Sequence, residues 1–174
     1  MDTPALAESF VKSQAFGGPG SLRSRFSRWD GVDTDIEIHI ASGNGIAIEI
    51  GLDITVTNIE RISPNSLDPT IKNYHWLDLV IGQFEAYDRG GNTAAVIDSY
   101  GNIMEGPGFN IFIVRDSVLT TPAKGVLEGI TRKTTIELAI EYGYKVVQDY
   151  LAPDCIRSAA EEFANSTAGG IVPI

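Results

Sequence analysis

The chain has one cysteine, Cys155, and two histidines, His39 and His75, well separated along its 174 residues. One cysteine excludes an intrachain disulfide, and without a Cys/His cluster a structural zinc site has no candidate ligands. Basic residues are scarce: 13 lysines and arginines stand against 23 aspartates and glutamates, a formal charge of −10. That balance disfavours a role built on many nucleic-acid phosphate contacts. No apolar run approaches the ~18 residues of a membrane span, and the N-terminus lacks the basic start and apolar block of a signal peptide. The expectation is a cytoplasmic protein with no metal, no membrane and no nucleic-acid partner. What is present is enough apolar sequence, 43% of residues, for one domain with a real core.

Residues 1–32 have a loop-like composition, with Gly17-Gly18-Pro19-Gly20 and interleaved serines and arginines, and read as an irregular segment. From residue 33 the pattern is that of a folded domain. Ile36, Ile38 and Ile40, then Ile46, Ile48 and Ile50, then Ile54 and Val56 alternate as strands do, with Gly43-Asn44-Gly45 as a hairpin turn between the first two. After Pro69 the period becomes helical, with Leu77, Val80, Ile81, Phe84 and Tyr87 on one stripe ending at Arg89-Gly90-Gly91. Short strands are expected at residues 94–98, 102–105, 110–114, 118–120, 144–150 and 162–166, with helices at 131–142 and 153–159. Strands outnumber helices without alternating regularly with them, so an α+β arrangement is expected rather than a doubly wound sheet.

Four segments carry candidate chemistry. Lys72 lies in Ile71-Lys72-Asn73-Tyr74-His75-Trp76, between a strand-rich stretch and a helix. A lysine condenses with an aldehyde cofactor only as the free amine, and Tyr74 and Trp76 are suited to border a planar ring; a surface lysine beside core aromatics is the other reading. Glu105 precedes Gly106-Pro107-Gly108-Phe109-Asn110. A carboxylate beside a pyridine nitrogen keeps it protonated and makes the ring an electron sink, whereas a solvated glutamate before a turn would do nothing of the kind. Leu127-Glu128-Gly129-Ile130-Thr131 leads into a helical stripe of Ile136, Ala139 and Ile140. This is either a helix N-terminus suited to a phosphate or a plain threonine N-cap. Ser166-Thr167-Ala168-Gly169-Gly170 offers further donors to the same anion, or is an ordinary glycine-rich turn.

Taken together, the run from Ile59-Glu60-Arg61 through Asp68-Pro69-Thr70-Ile71-Lys72-Asn73, Glu105-Gly106, Phe109-Asn110-Ile111-Phe112, Thr121-Pro122, Gly125-Val126-Leu127 and Gly129-Ile130-Thr131-Arg132 to Thr167-Ala168-Gly169-Gly170-Ile171 resembles the class IV, fold type IV, pyridoxal-phosphate aminotransferases. Lys72-Asn73, Trp76, Asp78-Leu79 and Gly108-Phe109-Asn110 look most like the (R)-selective amine transaminases. Branched-chain and D-amino-acid aminotransferases are the near relatives, and an aminodeoxychorismate-lyase-like enzyme is a further alternative. The resemblance implies the family's large domain over residues 33–174, truncated at both ends. It implies pyridoxal 5'-phosphate carried by Lys72, which also shuttles the proton, with Glu105 on the ring nitrogen and Leu127 against the ring. Gly129, Ile130, Thr131 and Thr167 would hold the phosphate, while Trp76, Ser166, Thr167 and Ala168 border the substrate. Arg23 is the candidate for a substrate carboxylate, against a solvated loop arginine. The implied partners are an amine or amino acid, a keto acid, and a second copy in a homodimer. Departures from the pattern are Glu60 where an arginine is frequent, Pro107 where a serine is usual, and Ser166 for a frequent threonine. Because the family's N-terminal domain and C-terminal segment find no counterpart, a catalytically silent binding module is the rival from another functional class.

Overall fold

The computed structural model describes residues 51–174 and, upstream, the backbone of a two-stranded antiparallel pair, β1 (Phe26–Ser27) with β2 (Asp33–Thr34). The chain divides into two units, Met1–Gly51 and Leu52–Ile174. The strands expected at 36–40 and 46–50, their hairpin turn, Arg23 and His39 lie outside the described residues.

Within Leu52–Ile174 the order is β3 (Ile54–Glu60), α1 (Leu77–Asp88), β4 (Thr93–Ile97), β5 (Glu105–Gly106), β6 (Phe109–Arg115), β7 (Val118–Pro122), α2 (Ile130–Glu141), β8 (Lys145–Asp149), α3 (Pro153–Arg157), β9 (Glu161–Ser166) and β10 (Gly170–Pro173). A sheet in the order β10-β9-β6-β7-β8, with β5 also on β6, is antiparallel except for β7 and β8, which α2 connects as a parallel pair. The second sheet is the parallel pair β3 and β4 with α1 as its crossover. Backbone bonds from Met104 N–H to Val96 C=O (2.9 Å) and Asp98 N–H to Asn102 C=O (2.8 Å) stitch β4 to the approach to β5. The α+β, strand-rich expectation holds. The edge strand β10 is an addition, since Gly170-Ile171-Val172-Pro173 carries no alternation to signal it.

The sequence explains the central strand directly. β6 is apolar at every position from Ile111 to Val114, as a strand covered on both faces must be. Ile111 and Ile113 join Ala95, Ile103 and Leu151 in one core cluster, while Phe112, on the alternate face, stacks on its cross-strand partner Phe163 with ring centroids 5.0 Å apart. The β6–β7 hairpin turns on Asp116 and Ser117, both at positive φ (51° and 62°), the twist that a two-residue hairpin requires. The β5–β6 hairpin turns on Pro107 and Gly108 (φ 88°), so Pro107 occupies the turn position its fixed φ suits. At Gly106 a Cβ would run into the Phe109 ring.

α1 packs unexpectedly. Its buried residues are Leu79, Gly82 and Ala86, and Gly82 lets the helix approach so closely that a Cβ there would meet Val96 Cγ1 at 3.0 Å. The apolar stripe Leu77, Val80, Ile81, Phe84 and Tyr87 is therefore the solvent-facing side. In α2, likewise, Arg132, Thr135 and Ala139 are buried while Ile140 is exposed. Among the described residues no helix is long and apolar enough to cross a membrane, and no cluster of side chains could hold a metal ion.

Candidate active site

Segments distant in sequence line one cleft of about 110 Å³. The connection from β3 to α1 supplies Arg61, Lys72, Asn73 and Trp76; the β5–β6 hairpin supplies Glu105 and Asn110. The loop before α2 and its first turn supply Leu127, Gly129 and Thr131, and the end of β9 with its following turn supplies Asn165, Ser166 and Thr167. A second, larger cavity of about 230 Å³ shares only Arg61 with it and contains none of the expected site residues.

Glu105 is the buried centre of the cleft, 4% exposed. Its Oε1 accepts a hydrogen bond from Arg61 Nε and its Oε2 one from the Leu127 N–H, both at 2.9 Å. Arg61 donates through Nη1 to Asp78 Oδ2 at 2.6 Å. Asp78 also accepts the Ile62 N–H at 2.7 Å and, in the first turn of its own helix, the Leu79 N–H at 2.8 Å. Burial pushes the Glu105 carboxyl above its ordinary range, resisted by the Leu127 N–H and by the hydrogen bond and charge of Arg61. For Asp78 burial acts the same way but loses: Arg61 and the two backbone N–H groups hold that carboxyl low. Burial also works against the Arg61 cation, and its bonds to the two carboxylates outweigh it, so the guanidinium is held charged. A carboxylate with both oxygens engaged still has lone pairs for one more donor in the cleft.

Lys72 is exposed and lies outside any helix or strand. Its segment is shaped by local turns, as the Asp and Asn content dictates. Asp68 Oδ1 accepts the Thr70 N–H (2.9 Å) and hydroxyl (2.7 Å), and Asn73 Oδ1 accepts the His75 N–H (2.8 Å). The Trp76 indole donates to the Asn73 carbonyl at 3.0 Å and lines the cleft, whereas Tyr74 is fully exposed and does not.

α2 starts at Ile130 with Gly129 as its N-cap and, among the described residues, no side-chain cap. The threonine N-cap reading is corrected: Thr131 is the second helical residue and lines the cleft, and the N–H groups of the first turn keep no side-chain acceptor. Gly129 is required there, because a Cβ would stand 2.6 Å from Asn110 Oδ1. Asn110 Nδ2 donates to the Leu127 carbonyl at 2.9 Å, so Leu127 is held by its N–H through Glu105 and by its C=O through Asn110.

The structure brings Lys72, Trp76, Glu105, Leu127, Gly129, Thr131, Ser166 and Thr167 to one cleft. Two expected residues are not in its lining: Ile130 is 79% exposed, its side chain turned outward by its place in the first helical turn, and Ala168 is exposed in the turn after β9. Ser166 Oγ is occupied within that turn, accepting the Gly169 N–H at 2.8 Å. Residues to which the sequence reading gave no role are Arg61, Asp78, Asn110 and Asn165. The first three are polar residues set in or beside apolar patterns, a signal of pairing that does not name the partner. Asn165 donates to Thr135 Oγ1 at 2.9 Å, and its buried Oδ1 has no hydrogen-bond partner among the described residues.

Comparison with known proteins identifies the family. The family model described as amino-transferase class IV matches residues 36–174. The Escherichia coli branched-chain-amino-acid aminotransferase is 35% identical over 131 residues, covering 74% of this chain and 42% of that protein. The crystal structure of the branched-chain aminotransferase of Thermoproteus uzoniensis with norvaline superposes with a TM-score of 0.68 at 34% identity, over 71% of this chain and 43% of that one. The T.th. branched-chain amino acid aminotransferase in complex with N-(5'-phosphopyridoxyl)-L-glutamate also gives 0.68, at 29% identity over 71% and 42%. The chain thus spans less than half the length of these relatives. With a family model covering most of its length and the described unit sharing the relatives' fold, this chain belongs to the class IV aminotransferases.

Proposed function

We propose that this chain forms the cofactor-binding part of a pyridoxal 5'-phosphate-dependent aminotransferase that moves an amino group between a branched-chain amino acid and a keto acid. The observation that carries the reading is the convergence of Lys72, buried Glu105, the uncapped start of α2 and Thr167 on one cleft. The donor set fits such a group: a charge-compensated carboxylate for a ring nitrogen, unpaired helix N–H groups with two threonine hydroxyls for a phosphate, and a backbone at Gly129 where a side chain would collide. Bound there, the cofactor supplies the electron-withdrawing ring that stabilises negative charge at the substrate carbon.

The chain's own residues divide the remaining work. Lys72 Nζ would hold the cofactor and is the amine that would take and return the proton of the substrate carbon. Glu105 would hold the proton of the ring nitrogen in place. Thr131, the first turn of α2 and Thr167 would anchor the phosphate, Leu127 would pack on the ring, and Trp76 and Ser166 would border the substrate. The relatives' names support branched-chain substrates over the (R)-amines to which residues 72–79 and 108–110 point. A homodimer belongs to the same proposal, with the exposed α1 stripe as the face a second copy would cover.

The test is an amine-transfer assay on the full chain with added pyridoxal 5'-phosphate, offering leucine with 2-oxoglutarate in one arm and (R)-1-phenylethylamine with pyruvate in the other. Cofactor-dependent transfer from leucine is expected. Transfer only from the (R)-amine would move the substrate assignment, and no transfer in either arm would favour the silent-module rival.

A further inference from the structure

Two features of the site are explained by neither a lysine nor a glutamate acting alone. Glu105 is a buried carboxylate tied at both oxygens by different elements, to Arg61 after β3 and to the loop before α2. Arg61, itself 9% exposed, engages Asp78 through Nη1, and that ion pair closes the loop of residues 62–77 in which Lys72 sits. We infer that Arg61, braced by Asp78, is the positioning residue of this site: it sets the orientation and charge of Glu105 and, through the same guanidinium, fixes the base of the loop carrying Lys72.

A carboxylate removed from water without a compensating cation takes up a proton, and a protonated Glu105 could no longer balance a protonated ring nitrogen. The charged groups around Glu105 are few. Arg61 is in contact, Arg132 acts from a distance in α2, Asp78 opposes, and Lys72 lines the same cleft. Arg61 is thus the one cation bonded to Glu105 among the described residues. Its planar fork reaches Asp78 through Nη1 and Glu105 through Nε together, which a lysine amine on one flexible stem does not reproduce.

The role assigned to Glu105 rests on the proposed function, and the test separates the two. Infrared spectra of the cofactor-free full chain at pH 7 report whether Glu105 is protonated, with Glu105→Gln removing the band in question. Wild type is expected to show no protonated-carboxyl band from Glu105. Arg61→Gln is expected to show one, lost again in Arg61→Gln/Glu105→Gln. Arg61→Lys is expected to keep Glu105 ionised yet to weaken pyridoxal-phosphate binding about tenfold and alter the circular dichroism induced in the bound cofactor. A folded Arg61→Gln variant with Glu105 still ionised would overturn the inference. Should Arg61→Gln fail to fold, a cofactor dissociation constant and induced dichroism in Arg61→Lys equal to wild type would overturn it instead. If wild type binds no cofactor, the proposed function fails while the infrared result stands.

Discussion

Two sets of residues in the cleft are built on opposite plans. In the first, Glu105 and Arg61 are buried and Asp78 half-buried, bonded to one another and to backbone from α1 and the loop before α2. In the second, Lys72 and Thr167 are exposed, and local turns rather than core packing shape the lysine segment. The first set is part of what holds the unit together, so the pairing of its charges exists only in the folded chain. The second costs little to change and is where binding partners have access. Stability and chemistry should therefore separate when either set is altered.

The sharpest break is at Lys72. Lys72→Ala should lower amine transfer by on the order of a thousandfold or more while leaving the thermal midpoint within about 1 °C, because an exposed side chain away from core contacts contributes little to folding. Arg61→Ala should do the reverse first: stranding buried Glu105 and half-buried Asp78 costs about 3–5 kcal/mol, measured by urea unfolding. Glu105→Gln keeps the shape but removes the charge and sets an amide NH2 against one of the two N–H donors that Glu105 accepts, and should reduce the rate about a hundredfold.

The pH dependence sharpens the contrast further. Asp78 is held below its ordinary value of 3.8, so its contribution to stability is present above that value and lost as pH falls through the folded-state value. Glu105 is held above its ordinary 4.5, so its contribution is complete below 4.5 and is lost as pH rises through the folded-state value. Thermal midpoints followed from pH 7 to pH 2 should show Asp78→Asn losing part of the acid-side fall. Glu105→Gln should lose the gain that wild type makes on acidification toward 4.5. The smallest effect on the cleft is expected from Phe84→Lys, on the exposed α1 stripe: the midpoint stays near wild type, while light scattering should show the proposed dimer giving way to monomer.

Much of the described unit was legible in the sequence because alternation and helical period are local properties. β4, β6, β7, β8, α1 and α2 fall within a residue or two of expectation. What was not legible depends on partners far away in the chain. The stripe of α1 looks like a core face by its spacing, yet Gly82 and Ala86 allow the other side to approach β3 and β4 more closely. The N-cap of α2 looked like threonine, but the loop is set by Asn110 and Glu105 holding Leu127, which places Gly129 at the cap. In the candidate site, Lys72, Glu105 and Thr131 stood out by residue type and order. Arg61 and Asp78 did not, since nothing in their sequence neighbourhoods reveals that they meet.

The most direct test of the whole account is borohydride reduction of the full chain incubated with pyridoxal 5'-phosphate, followed by peptide mass mapping. The account predicts a single phosphopyridoxyl adduct, on Lys72, with its yield sharply reduced in Arg61→Lys. No adduct, or labelling spread over Lys124, Lys133 and Lys145 as readily as over Lys72, would contradict it.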